Sequence, residues 1–323
     1  MALLEIQNLN ITYKTDKKEI RAVKDFSLNI DTKDSIGIVG ESGSGKSTLA
    51  MGILKLLPKG TTKTTGKILF DGVDLLELTE EEFRKLRWKD ISVVFQKSMN
   101  SLSPVHKIGF QMKDIYRVHE PDARDEEVRK RILELFRFVN LSDRVYNLYP
   151  HELSGGMMQR VSIALSLIYY PKLLILDEAT TALDVVTQGQ ILDEIMKLEE
   201  ALDLTRIMIT HDISVVASSC KKVVVMYGGC LLESGYVYDV LVNPKHPYTQ
   251  GLLNSFPDFI GEKKDLRGIP GSIPDLSLEY KSCIFTNRCK KAKSICFEKI
   301  PKIKTFPNEW NVACHLLGGF DGE

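Results

Sequence analysis

Nine consecutive residues, Gly40-Glu41-Ser42-Gly43-Ser44-Gly45-Lys46-Ser47-Thr48, set three glycines ahead of an amine and two hydroxyls. Glycines let a backbone wrap close enough for its N–H groups to hold phosphate oxygens, and a helix beginning there adds positive potential. In such a loop Lys46 reaches the β- and γ-phosphates and the Ser47 hydroxyl meets Mg²⁺. The string fits G-x-x-x-x-G-K-S/T, which composition alone yields in on the order of one chain in a hundred. Its setting sharpens the reading. Ile36–Val39 before it is an apolar run of strand length, and Leu49–Leu57 after it carries helical spacing. A strand, a phosphate-sized loop and a helix together predict nucleotide binding.

Two more groups of residues could complete that chemistry. Leu173–Leu176 is an apolar strand that ends in Asp177-Glu178. A carboxylate at a strand tip can hold Mg²⁺ through water, and its neighbour can polarise an attacking water. Read alone, the pair is equally an ordinary strand end. Upstream, Ser154-Gly155-Gly156 in the string 153–160 places a hydroxyl and two glycines at a helix start. That makes a second phosphate-binding surface, or simply an N-cap with a Gly-rich turn. A third group is separate: Cys283, Cys289, Cys296 and Cys314, with five, six and seventeen residues between them and basic residues interspersed. Four thiolates can complete a tetrahedral metal site, and in a reducing compartment a cysteine cluster points to metal before disulfide. The spacing is looser than the paired knuckles of structural zinc and matches neither common ferredoxin pattern, so it supports a metal without naming it.

The elements that must position these groups are legible in outline. With 323 residues the chain is long enough for a large core plus an appendage. Leu4–Tyr13 alternates as a strand does, a charged turn follows at Lys14–Glu19, and Gly66–Gly72 is hairpin-like. Strands are predicted at Ile91–Phe95, Leu173–Leu176, Arg206–Thr210 and Lys222–Tyr227, with a helix from about Val186. The stretch 100–160 is mainly helical by periodicity, as at Val128, Ile132, Leu135, Phe136 and Val139. Alternating strands and helices predict an α/β fold with a mainly parallel sheet. Past residue 240 prolines multiply and four of the six cysteines lie beyond 282, which marks an extension. Lys and Arg number 43 against 43 Asp and Glu, so global charge favours neither nucleic acid nor an anionic membrane. The longest apolar stretches are about half the roughly 20 residues a bilayer span needs. Cys220 and Cys230 fall in core elements and read as buried packing residues.

Taken together and in order, these strings resemble the ATP-binding subunits of ABC transporters over roughly residues 3–240. The resemblance implies a P-loop NTPase core, an N-terminal antiparallel β subdomain and a helical subdomain. It assigns 153–160 as the signature motif, with Ser154, Gly155 and Gly156 closing ATP held by another protomer. Asp177-Glu178 would end Walker B, with Glu178 the general base, and Thr181–Asp184 would be the D-loop. Gln96 would be the Q-loop residue, placed with Ser47 and Asp177 around Mg²⁺. His211 would contact the γ-phosphate and Tyr13 would stack on adenine. Each role has a bland rival: Tyr13 as a half-exposed strand residue, Gln96 as a strand terminus, His211 as part of a helix cap. Met157-Met158 and Ala179 depart from the commonest family spelling without removing a chemical group.

Further strings narrow the resemblance to the oligopeptide/dipeptide (and nickel) importer subfamily: Lys97–Val105, Asn243–Thr249 and Gly268–Pro274. That implies a nucleotide-binding domain over 1–242, with its helical subdomain at about 100–160, and a C-terminal cysteine-rich extension over 243–323. It also implies a 4Fe–4S cluster on the four cysteines, with zinc as the alternative and His315 a neighbour more than a ligand. The partners would be a distinct second ATPase chain, two permease subunits and an external solute-binding protein, with no nucleic acid. The chain would lie on the cytoplasmic face of the cell membrane and power peptide import. Nickel or another solute, or a soluble non-transport ATPase, are the competing readings. The cluster is expected to be structural, and ATP binding at Lys46 to survive replacement of any one of the four cysteines by Ser.

Overall fold

The computed structural model describes residues 2–95, 102–179, 184–255 and 268–317. They form two compact units. One contains the glycine loop and is made of Ala2–Ile30, Ile36–Leu76 and Thr210–Glu323; the other is made of Asp31–Ser35 and Glu77–Ile209. Gln96, Lys97–Ser101 and Thr181–Leu183 lie outside the described residues.

In the loop-bearing unit β1 (Ala2–Lys14) and β2 (Glu19–Asp31) flank the turn predicted at Lys14–Glu19, where Thr15 and Lys18 bond to each other. β3 (Ser35–Val39) is buried along its whole length and leads to the loop, and α1 (Lys46–Ile53) leaves it. β4 (Thr62–Phe70) pairs antiparallel with β1 from Leu4↔Phe70 to Tyr13↔Thr62, and β5 (Val73–Asp74) folds back on it. The antiparallel sheet therefore has the order β2-β1-β4-β5. Gly66 sits at its bulge with φ +99, where a Cβ would come within 2.5 Å of the Asn8 carbonyl. The helix after the loop ends sooner than Leu57. Lys55 turns left-handed at φ 54, its N–H returns to the Gly52 carbonyl, and the Leu56 N–H returns to Met51 at 2.9 Å. These paired bonds close a helix end, and spacing of apolar residues carries no sign of them.

The second unit begins with α2 (Glu80–Leu86), started by a reciprocal capping box between Thr79 and Glu82. β6 (Ile91–Phe95) follows, then α3 (Ile108–His119), α4 (Asp125–Phe138) and α5 (Gly155–Ser166). The periodic residues Val128, Ile132, Leu135 and Phe136 form the buried face of α4. β7 (Leu173–Asp177), α6 (Val185–Leu202) and β8 (Thr205–Ile209) complete it, with β7 parallel to both β6 and β8.

Back in the loop-bearing unit come α7 (Ile213–Ser219), β9 (Lys222–Tyr227), β10 (Cys230–Tyr236), α8 (Val237–Val242) and α9 (Pro247–Leu253). The last elements are α10 (Ser294–Glu298), β11 (Lys304–Phe306) and β12 (Trp310–Val312). β3 runs parallel to β9, β9 and β10 form a hairpin, and β12 extends the sheet by pairing antiparallel with β10. The extension is thus sewn into the core. Phe285, Trp310, Val312 and Cys314 share one apolar cluster with Val223, Val225, Tyr227, Leu232 and Tyr248. Cys220 and Cys230 are only half-buried, not buried as expected, because they stand at the end of α7 and the start of β10 and pack on this cluster's margin. Among the described residues no helix is long and apolar enough to cross a membrane.

A buried polar knot fixes the extension. Glu233 is fully buried and accepts from the Lys245 N–H (2.8 Å), the His246 N–H (3.0 Å) and the Trp310 indole (2.9 Å). The His246 ring accepts from the Tyr248 N–H at 3.0 Å. Burial pushes its pKa down to about 3, and a hydrogen bond to the Ala313 backbone offsets only part of that. The imidazole is therefore neutral in the fold and basic when unfolded, so its contribution is complete above about pH 6.5 and is lost as pH falls towards 3. We expect the wild type to lose about 1.4 kcal/mol more stability than His246→Asn between pH 7.5 and 5.5, measured by urea unfolding. Equal losses in the two proteins would show that the ring is charged in the fold.

Candidate nucleotide site

The glycine loop spans from the end of β3 to the start of α1 and is hemmed in by backbone. A Cβ on Gly45, at φ +95, would lie 2.2 Å from the Ala22 carbonyl, and one on Gly40 would lie 2.1 Å from that of Met226. No other residue type fits either position. Inside the loop the Ser44 N–H donates to the Glu41 carbonyl at 3.1 Å, and the Gly229 N–H donates to the Ser44 carbonyl at 3.1 Å. Lys46 is only 5% exposed, and its ammonium donates to the carbonyls of Gly40 (2.7 Å) and Glu41 (3.0 Å). Ser44 is completely buried, with no hydrogen-bond partner for its hydroxyl among the described residues. Ser42, Gly43 and Ser47 face solvent. The Tyr13 hydroxyl, at the end of β1, is 3.4 Å from that of Thr48, so this ring lies beside the first turn of α1. An orphaned hydroxyl, an amine and a glycine cradle at a helix start fit a polyphosphate.

His211 stands near the same strand. The Thr210 N–H donates to the Ile38 carbonyl (3.2 Å), two residues before Gly40, and His211 follows exposed. The cap of α7 is its neighbour Asp212, which accepts from the Ser214 N–H at 2.9 Å. The capping role that rivalled a chemical one for His211 therefore belongs to Asp212.

The second unit holds the carboxylates and the Gly-Gly helix start. Asp177 ends β7 and is 7% exposed. Glu178 has φ 49, and its N–H donates to the Ile209 carbonyl at 2.8 Å. A glutamate in the left-handed region is uncommon and strained, and such residues collect where side-chain direction matters. Here the left-handed turn ends the strand's alternation at Glu178, and sequence spacing carries no sign of it. Ser154 caps α5, accepting from the Met157 N–H at 3.3 Å, and both Ser154 and Gly155 are exposed. The N-cap reading therefore holds, and the helix start remains open to an anion. Arg160, on α5, forms an ion pair with Glu194 and donates to the Val139 carbonyl, which anchors this helix to α6. Asp184 caps α6 through the Thr187 N–H at 3.0 Å, and that bond, with the Thr187 hydroxyl, holds its carboxyl below the usual range. Ser47 in one unit and Asp177 in the other each carry a hard oxygen of the kind Mg²⁺ selects.

The four C-terminal cysteines lie in one neighbourhood. The Cys296 carbonyl accepts from the Cys283 N–H (3.0 Å) and the Thr286 hydroxyl (2.7 Å). Burial, reinforced by Cys283, Cys289 and Cys296 nearby, raises the Cys314 thiol to about 11. Burial likewise raises Cys283 and Cys289. The expected metal-binding arrangement is nonetheless not formed: among the described residues no three His, Cys, Asp or Glu side chains are grouped to hold an ion. Cys296 and Cys314, at 5% and 7% exposure, are drawn into the apolar core. His315 bonds the Lys299 carbonyl at 2.9 Å. Two residues went unassigned in the sequence. The Tyr248 hydroxyl accepts from the Glu41 N–H at 3.0 Å, and Arg288 forms an ion pair with the Glu41 carboxylate at 2.9 Å. Both stand in strings already singled out, but nothing local tied them to residue 41.

A glycine cradle opening into a helix, next to a fixed ammonium, defines a P-loop nucleotide-binding protein. Residues 23–181 match the family described as ABC transporter, and residues 232–296 that described as oligopeptide/dipeptide transporter, C-terminal region. The chain is 42% identical over 316 residues to the probable peptide ABC transporter ATP-binding protein y4tR of Sinorhizobium fredii, covering 97% of this chain and 94% of that one. It is 43% identical over 304 residues to the oligopeptide transport ATP-binding protein OppD of Bacillus subtilis, covering 93% and 84%. Its fold matches the dimeric ATP-binding cassette MJ0796 bound to ADP and Pi with a TM-score of 0.65 at 32% identity, over 72% of this chain and 98% of that one. The chain belongs to the family of ABC transporter ATP-binding proteins that carry the oligopeptide/dipeptide C-terminal region, and it is an ATPase.

Proposed function

We propose that this chain hydrolyses ATP to drive import of di- and oligopeptides through separate membrane subunits. The observation that carries the reading is the joint presence of a cassette and the oligopeptide/dipeptide C-terminal region, in a chain whose relatives are named for peptide transport. In this reading the nucleotide-binding domain spans 1–242 and the extension 243–323. In this reading two permease subunits, an external solute-binding protein and a second, distinct ATPase chain complete the transporter, with this chain bound peripherally at the cytoplasmic face of the membrane. No nucleic acid takes part. Nickel import is the competing reading.

Within the site, the backbone of Gly40–Gly45 and the Lys46 ammonium bind the phosphates, with Thr48 at the first turn. Tyr13 stacks on adenine, a role supported by its place beside Thr48. Ser47, Asp177 and Gln96 would hold Mg²⁺, which supplies charge neutralisation between the β- and γ-phosphates. Glu178 takes the proton of the attacking water and His211 holds the γ-phosphate. Ser154, Gly155 and Gly156 close the site of the neighbouring protomer. The exposed helix start at Ser154 and the strained turn at Glu178 support this division of roles. The four cysteines would bind a 4Fe–4S cluster, with zinc the alternative. Four soft donors in one neighbourhood suit either.

Affinity purification of the tagged chain from its host should bring down two membrane subunits and a different ATPase chain, and peptides with their binding protein should stimulate hydrolysis. Stimulation by nickel alone would move the substrate to the competing reading. In the purified transporter, Glu178→Gln should lower turnover about 10²–10⁴-fold while ATP binding persists. Near-normal hydrolysis would remove Glu178 as the base. For the cysteines, anaerobic protein should contain four irons and four sulfides per chain and absorb broadly near about 400 nm. One zinc per chain would select the alternative, and metal-free folded protein would end both.

A further inference from the structure

We propose that the C-terminal extension positions the phosphate loop, and that Arg288 is the residue through which it does so. Arg288 precedes Cys289 in the chain, and its side chain is 7% exposed. Its guanidinium spreads across four oxygens: Nη1 donates to Glu41 Oε2 (2.9 Å) and the Tyr227 hydroxyl (3.1 Å), Nη2 to the Ile269 carbonyl (3.0 Å), and Nε to the Pro270 carbonyl (2.9 Å). A planar fork that satisfies a carboxylate, a phenol and two carbonyls at once has very little freedom left.

Glu41 is held twice from this side. Its carboxylate meets Arg288, and its N–H donates to the hydroxyl of Tyr248 on α9. Tyr248 is itself wedged against Tyr227 and Phe285, with ring centroids 4.7 and 5.3 Å away. The extension also flanks the next glycine, since a Cβ on Gly43 would meet Ile273 at 3.7 Å. What Glu41 holds in turn is the working part of the loop. Its carbonyl accepts from the Lys46 ammonium and from the Ser44 N–H. Fixing Glu41 therefore fixes the peptide on which Lys46 rests. On this proposal nucleotide binding at Lys46 depends on the extension as well as on the core's own contacts.

A half-buried ion pair of this kind costs more when one partner is removed than it contributes when intact, so its loss should be felt at the loop. It rests on reading Gly40–Thr48 as the phosphate cradle, which Lys46→Ala tests separately by abolishing ATP binding. The proposal itself is tested by ATP titration calorimetry and thermal unfolding of the full-length chain. Arg288→Met and Glu41→Gln should each raise the Kd for ATP about tenfold, and the two together should raise it no further than either alone. Val312→Ala, elsewhere in the extension, should lower the unfolding temperature without moving that Kd. An unchanged Kd in folded Glu41→Gln protein, additive losses in the double variant, or an equal rise in Val312→Ala would each overturn the proposal. Glu41→Gln keeps size and position, so it carries the test if Arg288→Met does not fold.

Discussion

The turn from β3 into α1 closes only because backbone passes within van der Waals reach of two of its residues. The Ala22 carbonyl stands where a Cβ of Gly45 would be, and the Met226 carbonyl where one of Gly40 would be. Those carbonyls belong to β2 and β9, so the loop's shape is set by strands far from it in sequence. The parallel pairing of β3 with β9, from Ile36↔Lys222 to Val39↔Val225, fixes how far the Met226 carbonyl intrudes. Packing and phosphate geometry are thus one requirement: a shift in the sheet register would either open the cradle or close it on itself.

In both units, chemistry is concentrated where strands stop and helices begin. Asp177 is the last residue of β7, while Ser154, Asp184 and Asp212 cap α5, α6 and α7. A helix start offers N–H groups that its own turns cannot use, and a strand tip offers a side chain freed from the sheet. The caps consume part of that supply. Asp184 and Asp212 spend their carboxylates on local N–H groups, whereas Gly155 and Gly156 have no side chain with which to do so.

Local motifs were legible because their meaning lies in neighbours along the chain. The glycine loop, the apolar strand ending in Asp177 and the periodic face of α4 needed only a few residues of context, and each stands where expected. Three features were not legible. The end of α1 depends on a left-handed Lys55, and the direction of Glu178 on a left-handed turn; neither residue type advertises that conformation. The grip of Arg288 on Glu41 joins residues 247 positions apart, beyond any periodicity. The cysteines illustrate the converse. They share a neighbourhood, as a metal site would need, yet among the described residues no three ligating side chains are grouped to hold an ion.

That separation of 247 positions between Glu41 and Arg288 also sets an order in time. At about 5–20 residues per second of synthesis, the phosphate loop leaves the ribosome roughly 12–50 s before the arginine that holds it. Until then the Glu41 carboxylate has no guanidinium, and β10 presents an unpaired edge where β12 will later lie. A nascent chain would thus carry an unfinished ATP site through most of its synthesis, and an open sheet edge from the completion of β10 until β12 is made. The same late segment completes both, so competence to bind nucleotide and protection from edge-to-edge association arrive together.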